Sequence, residues 1–310
     1  MKIGAVFPQL EIGKDMAVIR EFGERVDALG YDHIVAYDHV VGVDRDREGG
    51  WGGYYDRDDQ FHEPLTLFAY LANCTDSVEF VTGVLVLPQR QTTLVAKQAA
   101  EIDVLSGGRV RLGASVGWNP LEYVSLGMTF EERGRRLTEQ IRVLRDLWTN
   151  EVVRFDGEFD DHVLRDVGLN PLPAQRPLPI WLGGMSEVAM RRAAHEADGW
   201  FPRFDPGPEA EAKLSKFDEY LSEAGRDRGA VGIQNVLRPA GPDPEEGTSR
   251  TGTHAGIDVE AWVQRAIEYR DLDTDYLCVE TMGCELAPDE HATELARLRD
   301  GFQDAGLSLS

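Results

Sequence analysis

The segment Phe80-Val81-Thr82-Gly83-Val84-Leu85-Val86 is the most continuous apolar run in the chain. A short run of this kind, rich in valine, predicts a β-strand that ends near Leu87. Apolar stripes with helical spacing lie on both sides of it, from Pro64 to Asn73 and from Thr93 to Leu105. A strand that alternates with helices predicts a parallel sheet of the α/β class.

The same alternation of strand and helix continues to both ends of the chain. Eight such units favour a closed (β/α)8 TIM barrel over an open sheet, and 310 residues suffice for one barrel. We therefore expect residues 1–310 to form a single domain. The other predicted strands and helices are Met1–Gln9, Ile19–Leu29, His33–Tyr37, Arg109–Val116, Phe130–Trp148, Pro179–Leu182, Glu187–Glu196, Gly199–Phe201, Glu209–Ala224, Val231–Leu237, Val259–Tyr269, Tyr276–Glu280 and His291–Ala305.

Three longer segments interrupt the alternation, and we expect them to be insertions. Val40–Phe61 follows the second strand and is polar, with several aromatic residues. Residues 150–177 follow the fourth helix and include a predicted hairpin over Val152–Gly157. Pro239–Gly256 follows the seventh strand and is also polar. Loops of this length usually carry function or lack a fixed structure.

The charge balance excludes some classes of partner. The chain has 32 basic and 55 acidic residues, a formal net charge of −23. Long-range repulsion of this size opposes binding to nucleic acid or to an anionic membrane surface. Nearly all positive charge is arginine, and such an acidic surface is typical of adaptation to high salt, where screening weakens self-repulsion. An acidic bacterial protein without that adaptation would give the same pattern.

Neither metal chemistry nor membrane insertion is predicted. The three cysteines, Cys74, Cys278 and Cys284, form no C-x-x-C pair, and no H-E-x-x-H spacing is present. We expect the three cysteines to be buried and reduced. The N-terminus reads as a first strand rather than a signal peptide, and no apolar run approaches the ~18 residues of a membrane span. A cytoplasmic location is expected.

Catalytic side chains in a β/α barrel lie where the strands end, at the C-terminal face. Asp38-His39 is the only acid and histidine pair at a predicted strand end. A histidine there can exchange a proton near neutral pH, while a nearby carboxylate fixes its charge. We therefore predict His39 as the catalytic residue and Asp38 as the residue that tunes it. The alternative is a histidine that only orders the following loop.

Gly183-Gly184-Met185-Ser186 connects the fifth predicted strand of the barrel to a helix. It offers backbone N–H groups, a helix dipole and a hydroxyl, all suited to a phosphate. The alternative is a tight turn that needs a positive φ.

Gly113-Ala114-Ser115-Val116-Gly117 matches the G-x-S-x-G pattern of serine hydrolases. That nucleophile elbow passes straight from strand into helix, whereas Trp118-Asn119-Pro120 follows here. We therefore set the hydrolase interpretation aside.

With these strand ends taken in order, the sequence resembles the luciferase-like monooxygenase superfamily. Within that superfamily it resembles the oxidoreductases that depend on the deazaflavin coenzyme F420. The resemblance covers most of the chain. The motifs that carry it are Val81–Pro88, Lys97-Gln98, Asp103–Arg109, Leu112-Gly113 and Gly117-Trp118-Asn119.

The resemblance implies a β/α barrel with the cofactor ring at the strand ends, backed by a bulge or non-proline cis peptide at Gly83–Val84. It also implies an acid and histidine pair near the reactive centre, a phosphate near the fifth and sixth units, and a homodimer. The implied cofactor-binding residues are Thr82, Gly83, Val84, Ser115, Gly117, Gly183, Gly184, Met185 and Ser186.

One departure bears on the substrate. Some F420-dependent sugar-phosphate dehydrogenases have a glutamate soon after the fourth strand, where this chain has Trp118. This difference argues against a sugar-phosphate substrate. Aromatic residues expected near the mouth favour an apolar or planar substrate instead. We expect it to contact Phe7, Trp51, Trp118 and Trp200, with Tyr54 nearby.

The leading hypothesis is reversible hydride transfer between coenzyme F420 and a small organic substrate. The same fold with FMN and oxygen would act as a flavin-dependent monooxygenase. A barrel that binds flavin or deazaflavin without turnover is the third hypothesis.

Overall fold

The computed structural model describes residues 1–238, 257–284 and 286–309. The predicted insertion at Pro239–Gly256 therefore lies outside the described residues. The strands of the described part are β1 (Lys2–Val6), β2 (His33–Ala36), β3 (Glu79–Thr82), β4 (Leu85–Val86), β5 (Val110–Ser115), β6 (Val153–Asp156), β7 (Val163–Val167), β8 (Ile180–Gly183), β9 (Gly199–Phe201), β10 (Gly232–Leu237) and β11 (Tyr276–Val279).

Nine of these strands form one parallel sheet that closes on itself. The sheet order is β3-β2-β1-β11-β10-β9-β8-β5-β4, and β3 also pairs with β5, with Phe80 opposite Val110. Because β3 and β4 share the third position, the ring has eight strand positions with helices outside. The predicted (β/α)8 barrel is confirmed.

The third strand position is interrupted at Gly83. We predicted one continuous strand, but pairing stops at Thr82 and resumes at Leu85, opposite Ala114 of β5. The Gly83–Val84 peptide bond is cis, at the position that the resemblance implied. A Cβ at Gly83 would lie 2.2 Å from Cγ1 of Val35 on β2, so only glycine fits against that strand.

Side chains and glycines set the helix ends. Asp15 caps α1, and Gly107, in the left-handed region, ends α3. No described helix has the length and apolar character needed to cross a membrane. The helices are α1 (Met16–Ala28), α2 (Pro64–Ala72), α3 (Thr92–Ser106), α4 (Pro120–Ser125), α5 (Arg133–Thr149), α6 (Glu187–Glu196), α7 (Pro208–Glu223), α8 (Val259–Asp271) and α9 (Glu290–Asp304).

Two elements differ from the sequence-based expectation. The short helix α4 was not predicted. It begins because the Asn119 side chain accepts hydrogen bonds from the backbone N–H groups of Leu121 and Glu122, and Pro120 occupies the first helical position. In the insertion after α5, the predicted hairpin over Val152–Gly157 was wrong in extent. That segment forms only β6, whose antiparallel partner is β7.

The core has two parts, one on each side of the barrel wall. The larger part fills the space between the strands and the helices. The smaller lies inside the barrel and includes Val35, Val81 and Trp181. Nearby, the Arg111 guanidinium packs against the rings of Trp181 and Tyr276, 4.4 and 4.1 Å from their centroids. This cation–π contact closes the inside of the barrel with a packed plug rather than a channel.

Phe7 and Trp200, which we expected at the barrel mouth, lie in the larger core instead. Both are 0% exposed. The Phe7 ring meets Phe22 of α1 edge-on at 5.4 Å, and Trp200 stacks on Phe217 of α7 at 4.4 Å. Both side chains point outward from the barrel wall toward the helices, so neither meets a ligand at the mouth.

We expect Phe7→Ala to lower the free energy of unfolding by about 3–5 kcal/mol, because it leaves a cavity in the core. Urea denaturation measures the difference. Met16→Ala, at an exposed position of α1, is the matched control and should change stability by less than about 0.5 kcal/mol. Unchanged stability of the Phe7 variant would show that this position is not packed as the structure has it.

Candidate active site

A cavity of about 460 Å³ opens where the barrel strands end. Its size is typical of small-molecule sites, which span roughly 300–1,000 Å³. The predicted site residues that line it are Asp38, His39, Gly83, Val84, Ser115, Gly117, Trp118, Gly183, Gly184, Met185 and Ser186. The structure thus brings the catalytic pair and most of the predicted cofactor residues to one cavity.

Phe7, Thr82, Trp51 and Trp200 do not line this cavity. The Thr82 hydroxyl donates to the Gly113 carbonyl at 2.6 Å and so joins two strands. The Trp200 indole donates to the Gly184 carbonyl at 2.9 Å and supports the cavity from behind.

His39 pairs with a carboxylate that the sequence analysis did not identify. Its Nδ1 lies 3.3 Å from Oε2 of Glu122, and the other Glu122 oxygen accepts from the Val40 amide. The side chains are 12% and 2% exposed. An Nδ1–H that donates to Glu122 leaves Nε2 as the ring nitrogen available to a ligand.

Helix α4 places Glu122 in its first turn, three residues after the Asn119 cap. Burial by itself would raise the pKa of Glu122, but the hydrogen bonds from His39 and the Val40 amide lower it below its ordinary value. A usable signal was present in the sequence, since Asn119-Pro120 is typical of a helix start and places the following glutamate beside the end of β5.

Asp38 does not contact His39, contrary to the expectation that it tunes the histidine. Its carboxylate accepts from the Val86 amide at 2.8 Å and from the Arg90 guanidinium at 2.6 Å. Arg90 also donates to Glu63 at 3.1 Å. Burial raises the pKa of Asp38, and the charge of Arg90 opposes that shift. Asp38 therefore fixes the backbone just after Gly83–Val84 to the end of β2.

Aromatic rings surround His39 on the side of the insertion after β2. Tyr55, Phe61 and Trp118 have ring centroids 5.1, 4.8 and 5.6 Å from the imidazole. Trp51 stacks on Trp118 at 5.7 Å. A Cβ at Gly53 would lie 2.2 Å from Trp51 and 2.6 Å from Trp118, so this glycine permits the stack. We call Trp51, Tyr55, Phe61 and Trp118 the aromatic cluster.

The opposite wall is the connection from β8 to α6. Ser186 caps α6 by accepting from the Ala189 amide, and Gly184 has a φ of 127°. A Cβ at Gly183 would lie 3.3 Å from the Val84 methyl groups, so glycine keeps this part of the cavity open. The helix N-terminus and the open wall fit a ring cofactor with a phosphorylated side chain.

Three further charged residues line the cavity, namely Arg203, Arg238 and Glu280. They follow β9, β10 and β11. Glu280 lies at the end of a predicted strand, but no role was predicted for it. Among the described residues, no group of three or more His, Cys, Asp or Glu side chains could hold a metal ion.

Relatives with similar sequences include proteins that depend on F420 and proteins that depend on FMNH2. An F420-dependent glucose-6-phosphate dehydrogenase of Microbacterium testaceum is 29% identical over 301 residues, 91% of this chain and 84% of that protein. An FMNH2-dependent dimethylsulfone monooxygenase of Pseudomonas putida is 33% identical over 183 residues, 58% and 48% of the two chains.

An uncharacterised protein of Mycobacterium tuberculosis is 37% identical over 166 residues, 54% of this chain and 56% of that protein. The chain thus spans little more than half the length of the first curated relatives that it matches.

Solved structures with the same fold also include both classes. An F420-dependent secondary alcohol dehydrogenase, in complex with an F420–acetone adduct, has a TM-score of 0.76 at 16% identity and covers 97% of this chain and 98% of that one. A riboflavin lyase with modified FMN and riboflavin has a TM-score of 0.78 at 13% identity, over 99% and 92% of the chains. At these identities the likeness shows the fold alone.

A family model described as luciferase-like monooxygenase matches residues 4–246, well over half of the chain. This match agrees with the closed barrel and with the motifs that lie at its strand ends. The chain belongs to the luciferase-like monooxygenase family of oxidoreductases.

Proposed function

We propose that this protein transfers a hydride between coenzyme F420 and a small organic substrate. The observation that carries the proposal is the His39–Glu122 pair, which lies in one cavity with the Gly83–Val84 backbone and the Gly183–Ser186 connection. A proton-exchanging group thus shares the cavity with a wall suited to a ring and a wall suited to a phosphate.

The preference for F420 over FMN is supported by one relative that matches 91% of this chain and 84% of its own. That protein is F420-dependent, whereas the FMNH2-dependent relative matches about half of each chain. The residues present fit either cofactor's phosphate, because backbone N–H groups at the start of α6 can donate hydrogen bonds to the oxygens of any phosphate. The choice between the two is therefore a matter for direct measurement.

Coenzyme F420, held beside Gly83–Val84 and the Gly183–Ser186 connection, would supply the hydride acceptor for the oxidation of a substrate alcohol and the hydride donor for the reverse reaction. His39 Nε2 takes the hydroxyl proton, so the substrate loses one proton and one hydride and gains a C=O bond. Glu122 holds the imidazole through Nδ1 and stabilises the positive charge that it acquires. In the reductive direction His39 returns the proton to the carbonyl oxygen.

The aromatic cluster and Asp38 support this chemistry from the two sides of His39. The rings of Tyr55, Phe61 and Trp118 limit the access of water to the imidazole. Asp38 fixes Val86, so the backbone around Val84 keeps its place in the cavity wall. Both effects favour a direct proton exchange between His39 and the substrate over exchange with solvent.

Titration with F420 and with FMN, followed by cofactor fluorescence at low and high salt, is expected to show saturable binding of F420 in preference to FMN. Gly183→Val should weaken binding at least about tenfold, because its methyl groups would occupy the cavity beside Val84. Gly229→Val, where no atom lies within 4 Å of the added Cβ, is the control. Tight FMN binding with no response to F420 would replace this proposal with a flavin-dependent monooxygenase.

His39→Ala is expected to lower kcat about 10²–10⁴-fold while F420 affinity changes little, because proton exchange is lost and the cofactor walls remain. The assay follows F420 absorbance with a panel of primary and secondary alcohols. His195→Ala, at an exposed position of α6, serves as the control. If His39→Ala keeps wild-type turnover, His39 is not the proton-exchanging residue and the barrel needs another one.

Glu122→Gln is expected to reduce kcat more than KM and to move the acidic limb of the pH–rate profile to lower pH, because the anion that favours the imidazolium is gone. The pH dependence of the free energy of unfolding should also change in Glu122→Gln. Since the pKa of Glu122 is lowered in the folded protein, its stabilising effect is present at neutral pH and is lost as pH falls through that lowered value. Glu131→Gln, an exposed loop position, should change neither profile. An unshifted pH–rate profile in Glu122→Gln would leave Glu122 with a structural role only.

A further inference from the structure

The charged side chains that line the cavity differ in how they are satisfied. Asp38 binds Arg90 at 2.6 Å, and His39 lies 3.3 Å from Glu122. Arg238 lies 3.4 Å from Asp205, and Arg203 also has an interaction partner. Asp38, His39 and Arg238 thus each lie beside a group of opposite charge or a carboxylate partner within the protein before any ligand binds.

Glu280 is the exception. It follows β11 and its backbone N–H donates to the Leu237 carbonyl at 2.8 Å, which fixes the residue at the cavity wall. The residue is 4% exposed. No described residue gives its carboxylate a hydrogen bond or an ion pair. Glu280 lines the cavity, so a positively charged group that binds there can pair with its carboxylate and gain affinity.

The surroundings of Glu280 are themselves acidic. Burial raises the pKa of Glu11 to about 7, and the charge of Glu280 adds to that shift. Burial raises the pKa of the Cys278 and Cys284 thiols to about 12, again with a contribution from Glu280. Of the basic side chains in the same region, Arg111 also acts on Cys278 and Arg238 pairs with Asp205 at 3.4 Å, so neither forms an ion pair with Glu280.

The rest of the cavity wall near this position suits a cation as well. Tyr37, Phe201 and Phe204 present aromatic rings to the same cavity. Aromatic faces attract organic cations, and they do so more strongly when the cation is removed from water. The net charge of −23 adds a long-range attraction for positive ligands.

We propose that Glu280, just after β11, is a specificity-determining residue that binds a protonated amine of the substrate. The inference rests on the proposed hydride transfer and narrows its substrate class to amino alcohols and the corresponding amino ketones. His39 exchanges the hydroxyl proton, while Glu280 forms a charge-assisted hydrogen bond with the ammonium group at the other end of the molecule.

The test compares trans-4-aminocyclohexanol with trans-1,4-cyclohexanediol, which share a ring and a hydroxyl and differ in the second group. Dissociation constants are measured by calorimetry with and without saturating F420, and kcat/KM by F420 absorbance. We expect the wild type to prefer the amine by about 10–100-fold, the value of one charge-assisted hydrogen bond. Glu280→Gln should abolish the preference. Glu260→Gln, at an exposed position of α8, should retain it.

Equal affinity of the wild type for the two probes, or a preference that survives in Glu280→Gln, overturns the proposal. Should Glu280→Gln fail to fold by circular dichroism, Glu280→Asp decides, since it keeps the charge but shortens the side chain by one methylene. The preference for the amine should then fall, and an unchanged preference overturns the proposal. Failure of the proposed function looks different, because F420 then does not bind at all, whereas the amine preference is still measured in the protein without cofactor.

Discussion

The carboxylate of Asp38 connects the parts of the barrel on which the rest of the site depends. It accepts from the Val86 amide, just beyond the point where the third strand position is interrupted, and it forms an ion pair with Arg90. A strand that stops and resumes leaves backbone groups without sheet partners, and such groups are costly when buried. Asp38 satisfies one of them and holds the interrupted strand to the end of β2. The neighbouring His39 and the wall at Val84 therefore have fixed relative positions.

The fold was largely predictable because most barrel strands of the described residues are short apolar runs and most of their helices, α4 excepted, carry an apolar stripe. Helix α6 begins and ends at the predicted residues, Glu187 and Glu196, since Ser186 supplies an N-cap that the sequence displays. The interruption within Phe80–Val86 was not predicted in its extent, because apolar residues on both sides of Gly83 conceal the loss of pairing. The family resemblance supplied the position of the cis bond, which no hydrophobic pattern encodes.

The candidate site was less predictable, for two physical reasons. Both faces of a barrel strand are buried, so apolar character does not tell whether a residue points into the barrel or toward the helices. Phe7 and Trp200 were misplaced on that account. The second reason is distance along the chain. Glu122 is 83 residues from His39, so sequence spacing gave no reason to pair them. Asp38 was predicted as the carboxylate partner of His39 because it is the neighbouring residue. Residues next to each other at a strand end point to different sides, so Asp38 faces Arg90 while His39 faces Glu122.

The stack of Trp51 on Trp118 joins the insertion after β2 to the loop after β5, with ring planes 25° apart. Two indoles held this close couple their electronic transitions, which gives the protein an internal optical reporter. Its circular dichroism and fluorescence are sensitive to whether the insertion is seated on the barrel, independently of any ligand. Trp118 packs against His39 as well as against Trp51, so the same signal also reports on the cavity wall beside His39. The position of a surface insertion can thus be observed in solution without any added label.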